Sequence, residues 1–247
     1  MKAMIFAAGL GTRLKPLTDT MPKALVPLAG KPLLQWQVEK LREAGITDII
    51  ANVHHFPDMI IDTICRNNGW GCNIQVSDER DELLDTGGGL RKAVTGYGLR
   101  ETGEPVLACN VDILSNIDIR ALVAEYEQTG VSQLVVSERK TQRYLCFDEN
   151  DFLCGWANIA TGEIKGKDGR HLAFSGMQIL GPEVLALLPQ MPQDKFSLID
   201  FYLSLCAGNI SPLLKAYVPV GYQMMDVGKI DQIEEAERFA DMLCNIK

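Results

Sequence analysis

Apolar and polar positions along the first 140 residues predict strands and helices in turn. Ala3 to Ala8 is a continuously apolar run, the pattern of a strand buried on both faces. Pro32 to Ala44 carries Leu34, Val38 and Leu41 on one stripe and stops at Gly45, which predicts a helix. Thr47 to Val53 predicts a second strand. Pro57 to Asn67 predicts a helix resting on Ile60, Ile61 and Ile64 and stopped by Gly69. Asn73 to Ser77 reads as a strand, and Leu90 to Val94 as the start of a helix behind three glycines. Val106 to Cys109 reads as a strand ending at Asn110-Val111-Asp112. Ile117 to Gln128 predicts a helix and Gln133 to Ser137 a strand. The alternation predicts an α/β fold, a Rossmann-like, doubly wound, mostly parallel sheet with helices on both faces. Ligands of such sheets collect at the C-terminal strand ends. Here those ends carry the loop at 9–13, His54-His55, Asp78-Glu79 and Asp112.

The texture changes after about residue 140. Tyr144 to Phe147 and Phe152 to Trp156 flank an acidic turn at 148–151 and predict a hairpin. Leu172 to Leu180 and Leu213 to Val220 predict strands. Ser197 starts a helix, with Asp200 three residues on as a capping box. Ile230 to Leu243 closes the chain as an amphipathic helix. This half reads as a mixed extension of the same sheet. No linker or internal repeat interrupts the chain, so a single domain over 1–247 is expected.

Composition narrows the partners. The 247 residues carry 24 Lys and Arg against 32 Asp and Glu, net −8. A broad nucleic-acid surface needs a basic face to displace counterions, so no nucleic-acid partner is expected. No apolar run reaches the roughly 18 residues of a membrane span, and the N-terminus has no signal-peptide pattern, so a cytoplasmic protein without membrane contact is expected. The seven cysteines form no CxxC pair, and most lie in apolar runs, which predicts buried, reduced thiols. His54-His55 is no zinc site on its own. Neighbouring strand residues point to opposite faces, and no further ligands complete a pattern.

Four motifs carry chemistry. Gly9-Leu10-Gly11-Thr12-Arg13 follows the first strand, with Pro22-Lys23 downstream. Two glycines let the backbone approach a ligand and aim N–H groups at anionic oxygens. Thr12 adds a hydroxyl, Arg13 a planar fork and Lys23 a point charge, a set suited to phosphates. No third glycine and no Gly-Lys-Ser/Thr follow, so it is neither a dinucleotide fingerprint nor a P-loop. Thr86-Gly87-Gly88-Gly89 opens a helix, either as a hinge or as backbone packed on a flat base. Asp112 at a strand end, read alone, is a cap or turn residue. Met225-Asp226-Val227-Gly228 precedes the last helix.

The run Gly-Leu-Gly-Thr-Arg-Leu-Lys-Pro-Leu-Thr, then Pro-Lys, resembles the signature of the sugar-1-phosphate nucleotidyltransferases of the glycosyltransferase-A-like fold, without a gap. The Thr-Gly-Gly-Gly form is most similar to the N-acetylmuramate α-1-phosphate uridylyltransferases, with heptose-1-phosphate guanylyltransferases also similar. The resemblance implies that the loop from Ala8 through Gly9, Gly11 and Thr12 wraps a nucleoside triphosphate. It implies that Arg13 holds the β/γ-phosphates and that Lys23 meets the α-phosphate and the sugar phosphate. Thr86, Gly87 and Gly88 would lie near the base. Asp112 and Asp226 would hold Mg²⁺, which suits two carboxylates plus phosphate oxygens. Val111 stands where the family has glycine. Asn110 would contact the ribose or the acceptor sugar. Ser175 and Gly176, in Phe174-Ser175-Gly176, would meet the acceptor sugar. Asp200 and Tyr202 read as a helix cap and a core face, with the acceptor pocket as the alternative.

The expected reaction joins an NTP, foremost UTP, to a sugar 1-phosphate of the N-acetylmuramate or N-acetylhexosamine type. Residues 1–140 form the nucleotide-binding half and 141–247 the acceptor-binding half. The alternatives are a guanylyltransferase for heptose or mannose 1-phosphate, a cytidylyltransferase for a phospho-alcohol, a glycosyltransferase of the same fold class, and a non-catalytic sugar-nucleotide sensor. With no hexapeptide-repeat tail in view, a monomer or homodimer is expected.

Overall fold

The computed structural model describes residues 1–98, 103–207 and 212–245. The first half contains β1 (Lys2–Phe6), a two-residue hairpin of β2 (Pro27–Leu28) and β3 (Lys31–Pro32), α1 (Leu33–Glu43), β4 (Asp48–Val53), α2 (Pro57–Arg66), β5 (Asn73–Asp78), α3 (Asp85–Gly96), β6 (Val106–Asn110), β7 (Ile113–Ser115), α4 (Ile119–Thr129) and β8 (Ser132–Ser137). The second half adds β9 (Arg143–Phe147), β10 (Leu153–Asn158), β11 (Glu163–Gly166), β12 (Arg170–Leu180), α5 (Pro182–Leu185), α6 (Leu198–Ala207), β13 (Leu214–Tyr217), β14 (Met224–Asp226) and α7 (Ile233–Asn245).

The predicted sheet is present. β1 pairs in parallel with β4 and β6, and β4 with β5. β12 then lies antiparallel between β6 and β8, and β13 adds in parallel beyond β8. A meander of β9, β10 and β11 continues from the outer part of β12. Side chains on β1 alternate between two apolar layers, as strand geometry requires. Ala3 and Ile5 face the layer under α1, α2, α4 and α7, which includes Leu34, Ile60, Leu122 and Ala236. Met4 and Phe6 face the layer under α3, α5 and α6, which includes Leu90, Val184 and Phe201. Helices therefore cover both faces.

Several expectations change in detail. α3 begins at Asp85, so the glycine triplet lies inside the helix and not before it. Asp118 caps α4, its Oδ1 accepting the Arg120 and Ala121 amides, so that helix starts two residues later than the apolar pattern suggests. The strand expected over 213–220 ends at Tyr217. Among the seven cysteines only Cys109 and Cys146 are buried, while Cys65 and Cys244 are exposed on helices. No helix among the described residues is long and apolar enough to cross a membrane.

Candidate active site

The loop leaving β1 is held at three points. The Ala7 amide donates to Asn52 Oδ1 at 2.8 Å, Thr18 Oγ1 donates to the Gly11 carbonyl at 2.9 Å, and His55 Nε2 lies 3.0 Å from the Thr18 carbonyl. Gly11 adopts φ 64°, and a Cβ there would press on Thr18 and Lys23 at 2.8 and 2.9 Å. Its glycine is required by protein packing. Gly9 differs, because a Cβ there would meet nothing within 4 Å. The space over Gly9 belongs to a cleft of about 440 Å³ lined by Ala8, Gly9, Gly11, Thr12, Arg13, Lys23, Thr86, Asn110 and Asp112. These nine expected residues are therefore brought to one cavity.

A second set of pairings assembles the carboxylates. β14 pairs with β7, placing Asp226 across from Ile113, and the Val227 amide donates to the Asp112 carbonyl at 2.8 Å. Asp112 forms an ion pair with Lys23, which is only 8% exposed. Arg13 approaches Asp226 at 3.8 Å. Gly228 permits that approach, since a Cβ there would crowd Asp226 Oδ1 and Arg13 Nη2 at 2.7 and 2.8 Å. Although its side chain is 47% exposed, the protein wall beside Asp226 raises its carboxyl pKa, and the Asp112 charge raises it further. Two carboxylates crowded together beside a phosphate-sized cleft offer only hard oxygen donors. That donor set fits Mg²⁺ and does not resemble a zinc set.

The glycine triplet does something else. The Gly87 and Gly88 amides both donate to the Phe196 carbonyl, at 2.9 and 3.2 Å. A Cβ on Gly87 would overlap the Phe196 ring, one on Gly88 would overlap the Asp194 carbonyl, and one on Gly89 would press on Asn52 and Glu79 at 2.8 Å. Gly87 and Gly88 are thus buried under the 194–196 segment, and their amides are taken. Gly87 and Gly88, expected near a base, are not among the residues lining the cleft. Thr86 does line the cleft, and its Oγ1 accepts the Leu198 amide at 3.0 Å.

Other strand-end residues serve the frame. Glu79 is 2% exposed and ties Asn52 Nδ2 to the Leu84 amide, with burial raising its carboxyl pKa. Asp78 is held by Arg80, and His54 Nδ1 lies 2.7 Å from the Glu79 carbonyl. Ser197 caps α6, its Oγ accepting the Asp200 amide at 3.1 Å and donating to the Asp200 carboxylate at 2.7 Å, and Tyr202 is fully buried, so the two are a cap partner and a core face.

On β12, Gly176 has φ 69° and passes so close to Asn110 that a Cβ would come within 2.9 Å of Nδ2. Ser175 is 1% exposed, and its hydroxyl lies close enough to Tyr222 to lower that phenol's pKa. The structure also brings Phe6, Asn52, Leu83, Asp85 and Lys195 to the cleft. Leu83 and Asp85 belong to the run that continues into Thr86-Gly87-Gly88-Gly89, whereas no motif marked Phe6, Asn52 or Lys195. For Lys195 the only signal was its place just before the Ser197 cap.

A model of the nucleotidyl transferase family matches residues 2–150. The chain is 37% identical over 191 residues to an N-acetylmuramate alpha-1-phosphate uridylyltransferase of Neisseria meningitidis serogroup B, covering 74% of this chain and 77% of that protein. It is 31% identical over 214 residues to the enzyme of the same name from Caulobacter vibrioides, covering 83% and 84%. Among solved structures, HddC from Yersinia pseudotuberculosis complexed with GMP-PN superposes with a TM-score of 0.74 at 24% identity, over 97% of this chain and 99% of that one.

Proposed function

The chain belongs to the nucleotidyl transferase family, and from that membership we propose that it joins UTP to N-acetylmuramate 1-phosphate, giving a UDP-sugar and pyrophosphate. The class, transfer of a nucleotidyl group to a sugar 1-phosphate, is that of its relatives. The observation that carries the reading is the single cleft gathering Gly9, Thr12, Arg13, Lys23, Asn110 and Asp112. The two relatives, matched over 77% and 84% of their length, support uridylyl and muramate as the finer assignment.

The acceptor is a phosphate monoester with a second pKa of about 6, so it is largely dianionic at neutral pH. A sugar-phosphate oxygen attacks the α-phosphorus, the bond from that phosphorus to the bridging oxygen breaks, and pyrophosphate leaves with the electron pair. No proton must be removed, so no general base is needed. The site supplies alignment and charge neutralisation. Open space over Gly9 lets the triphosphate lie against backbone amides of the loop. Arg13 neutralises charge on the departing pyrophosphate. Lys23, buried and oriented by Asp112, offsets the repulsion between two anions meeting at the α-phosphorus. Asn110 and Gly176 form the wall against which the sugar rests. Asp112 and Asp226 would hold Mg²⁺, which when bound neutralises phosphate charge.

The test is pyrophosphate release, with four NTPs crossed against a panel of sugar 1-phosphates, with Mg²⁺ and with EDTA. Metal-dependent release is expected for UTP with N-acetylmuramate 1-phosphate. Release confined to GTP with heptose or mannose 1-phosphate would replace the reading with a guanylyltransferase. Silence from protein that still binds an NTP would favour a sensor. Asp112→Asn should lower turnover by ~10²–10³-fold. Asparagine is the better variant here, because alanine would also remove the hydrogen-bond acceptor that Asp112 offers the buried Lys23.

A further inference from the structure

Resting on the muramate reading above, we propose that Arg139 forms a carboxylate subsite reading the acidic group that distinguishes N-acetylmuramate from N-acetylglucosamine. The two acceptors share the pyranose, the acetamido group and the anomeric phosphate. They differ by one lactyl ether ending in a carboxylate. A site that separates them needs a cation beside the sugar pocket and away from the phosphates.

Arg139 meets that need. It sits just past the end of β8 on the ligand edge of the sheet, and its Nη2 donates to the Phe174 carbonyl at 2.8 Å. Phe174, Ser175 and Gly176 are consecutive on β12, and Gly176 abuts Asn110. A row therefore runs from Asp112 through Asn110 and Gly176 to Arg139. Two residues of strand cover about 7 Å, comparable to a pyranose ring with its substituents. Tyr222 lies against the same row. Burial pushes its phenol pKa up, offset by Ser175, Ser115 and the Arg139 charge. Buried Ser175 adds a polar group to this wall.

The charge on Arg139 is uncommitted. Its chain neighbour Glu138 is taken by Arg170 at 2.9 Å, which also reaches Asp151 at 3.3 Å. Among the described residues, no carboxylate forms an ion pair with Arg139. The segment carrying it is braced, because the Thr141 amide donates to the Tyr144 hydroxyl at 2.9 Å and the Ile159 amide to the Gln142 carbonyl at 2.9 Å. One guanidinium edge is fixed on Phe174, leaving further donors in the fork for a planar carboxylate.

The test compares kcat/KM for N-acetylmuramate 1-phosphate and N-acetylglucosamine 1-phosphate, each with UTP, in wild type, Arg139→Gln and Arg139→Lys. Wild type should favour muramate. Arg139→Gln should lower that preference about 10- to 100-fold, mainly through KM. Arg139→Lys should keep part of it, since lysine retains the charge and loses the fork. Calorimetric binding of the two UDP-sugar products should show the same loss without turnover. If wild type prefers muramate and Arg139→Gln keeps the ratio within twofold, the carboxylate assignment is overturned and the functional reading stands. If wild type ignores muramate and turns over another sugar 1-phosphate, both fall together.

Discussion

The loop after β1 and the triplet opening α3 are both glycine-rich and both follow a strand of the parallel sheet, yet they are used in opposite ways. At Gly9 the missing side chain leaves open space in the cleft. At Gly87, Gly88 and Gly89 the same space is already occupied by Phe196, Asp194, Asn52 and Glu79. The first loop is shaped for a guest, and the second is a seat for another part of the chain. Glycine inside a helix costs roughly 0.5–1 kcal/mol against alanine. In α3, Gly87 and Gly88 admit the segment that carries Lys195 into the cleft and starts α6, and Gly89 admits Asn52 and Glu79.

The sharpest test of this contrast is Gly88→Ala. Its Cβ would collide with a backbone carbonyl, so a loss of about 3 kcal/mol is expected, seen as a fall in Tm of roughly 6–12 °C. Gly9→Ala should leave Tm within the change of about 0.5 kcal/mol typical of neutral sites. It should weaken NTP binding and cut turnover by about 100-fold through misplacement of the triphosphate. The contrast breaks if Gly9→Ala melts like Gly88→Ala, or binds NTP normally. Thr86→Val comes next. It strips the Leu198 amide of its acceptor and should cost about 1 kcal/mol in thermal or chemical unfolding. The smallest effect is a reporter. Burial pushes the Cys206 thiol on α6 up to about 11 and Cys109 up to about 12. Exposed Cys65 and Cys244 should therefore alkylate first at pH 8. Cys206 should gain reactivity in Gly88→Ala and not in Gly9→Ala.

What the sequence displays follows the same division. The parallel strands and the phosphate loop are legible because their signals are local: an apolar run, a glycine, then Thr-Arg. Asp112 and Asp226 are legible as motif residues, but their meeting depends on β14 pairing with β7, more than a hundred residues apart. Neither short strand has an apolar pattern strong enough to announce itself. The triplet was ambiguous for a physical reason, since composition says that close approach is needed and not who approaches. Arg139 and Lys195 are single charged residues in polar surroundings. Lys195 is placed at the cleft by the seating of Phe196 on Gly87, and Arg139 is marked out only by its bond to the Phe174 carbonyl while Arg170 takes its neighbour Glu138.

The placement of β12 has a consequence for how the chain is made. β6 and β8 are complete by residue 137, yet the strand that joins them spans 170–180. During synthesis, two sheet edges must wait side by side for a partner still to be translated. Long-range pairing of this kind slows folding and leaves edges open to wrong partners. A fragment ending at 150, where the family match stops, would keep both edges bare. It should be aggregation-prone, whereas a fragment reaching past 180 could close the sheet. The stretch with the most readable chemistry thus depends, for its solubility as a nascent chain, on the stretch with the least.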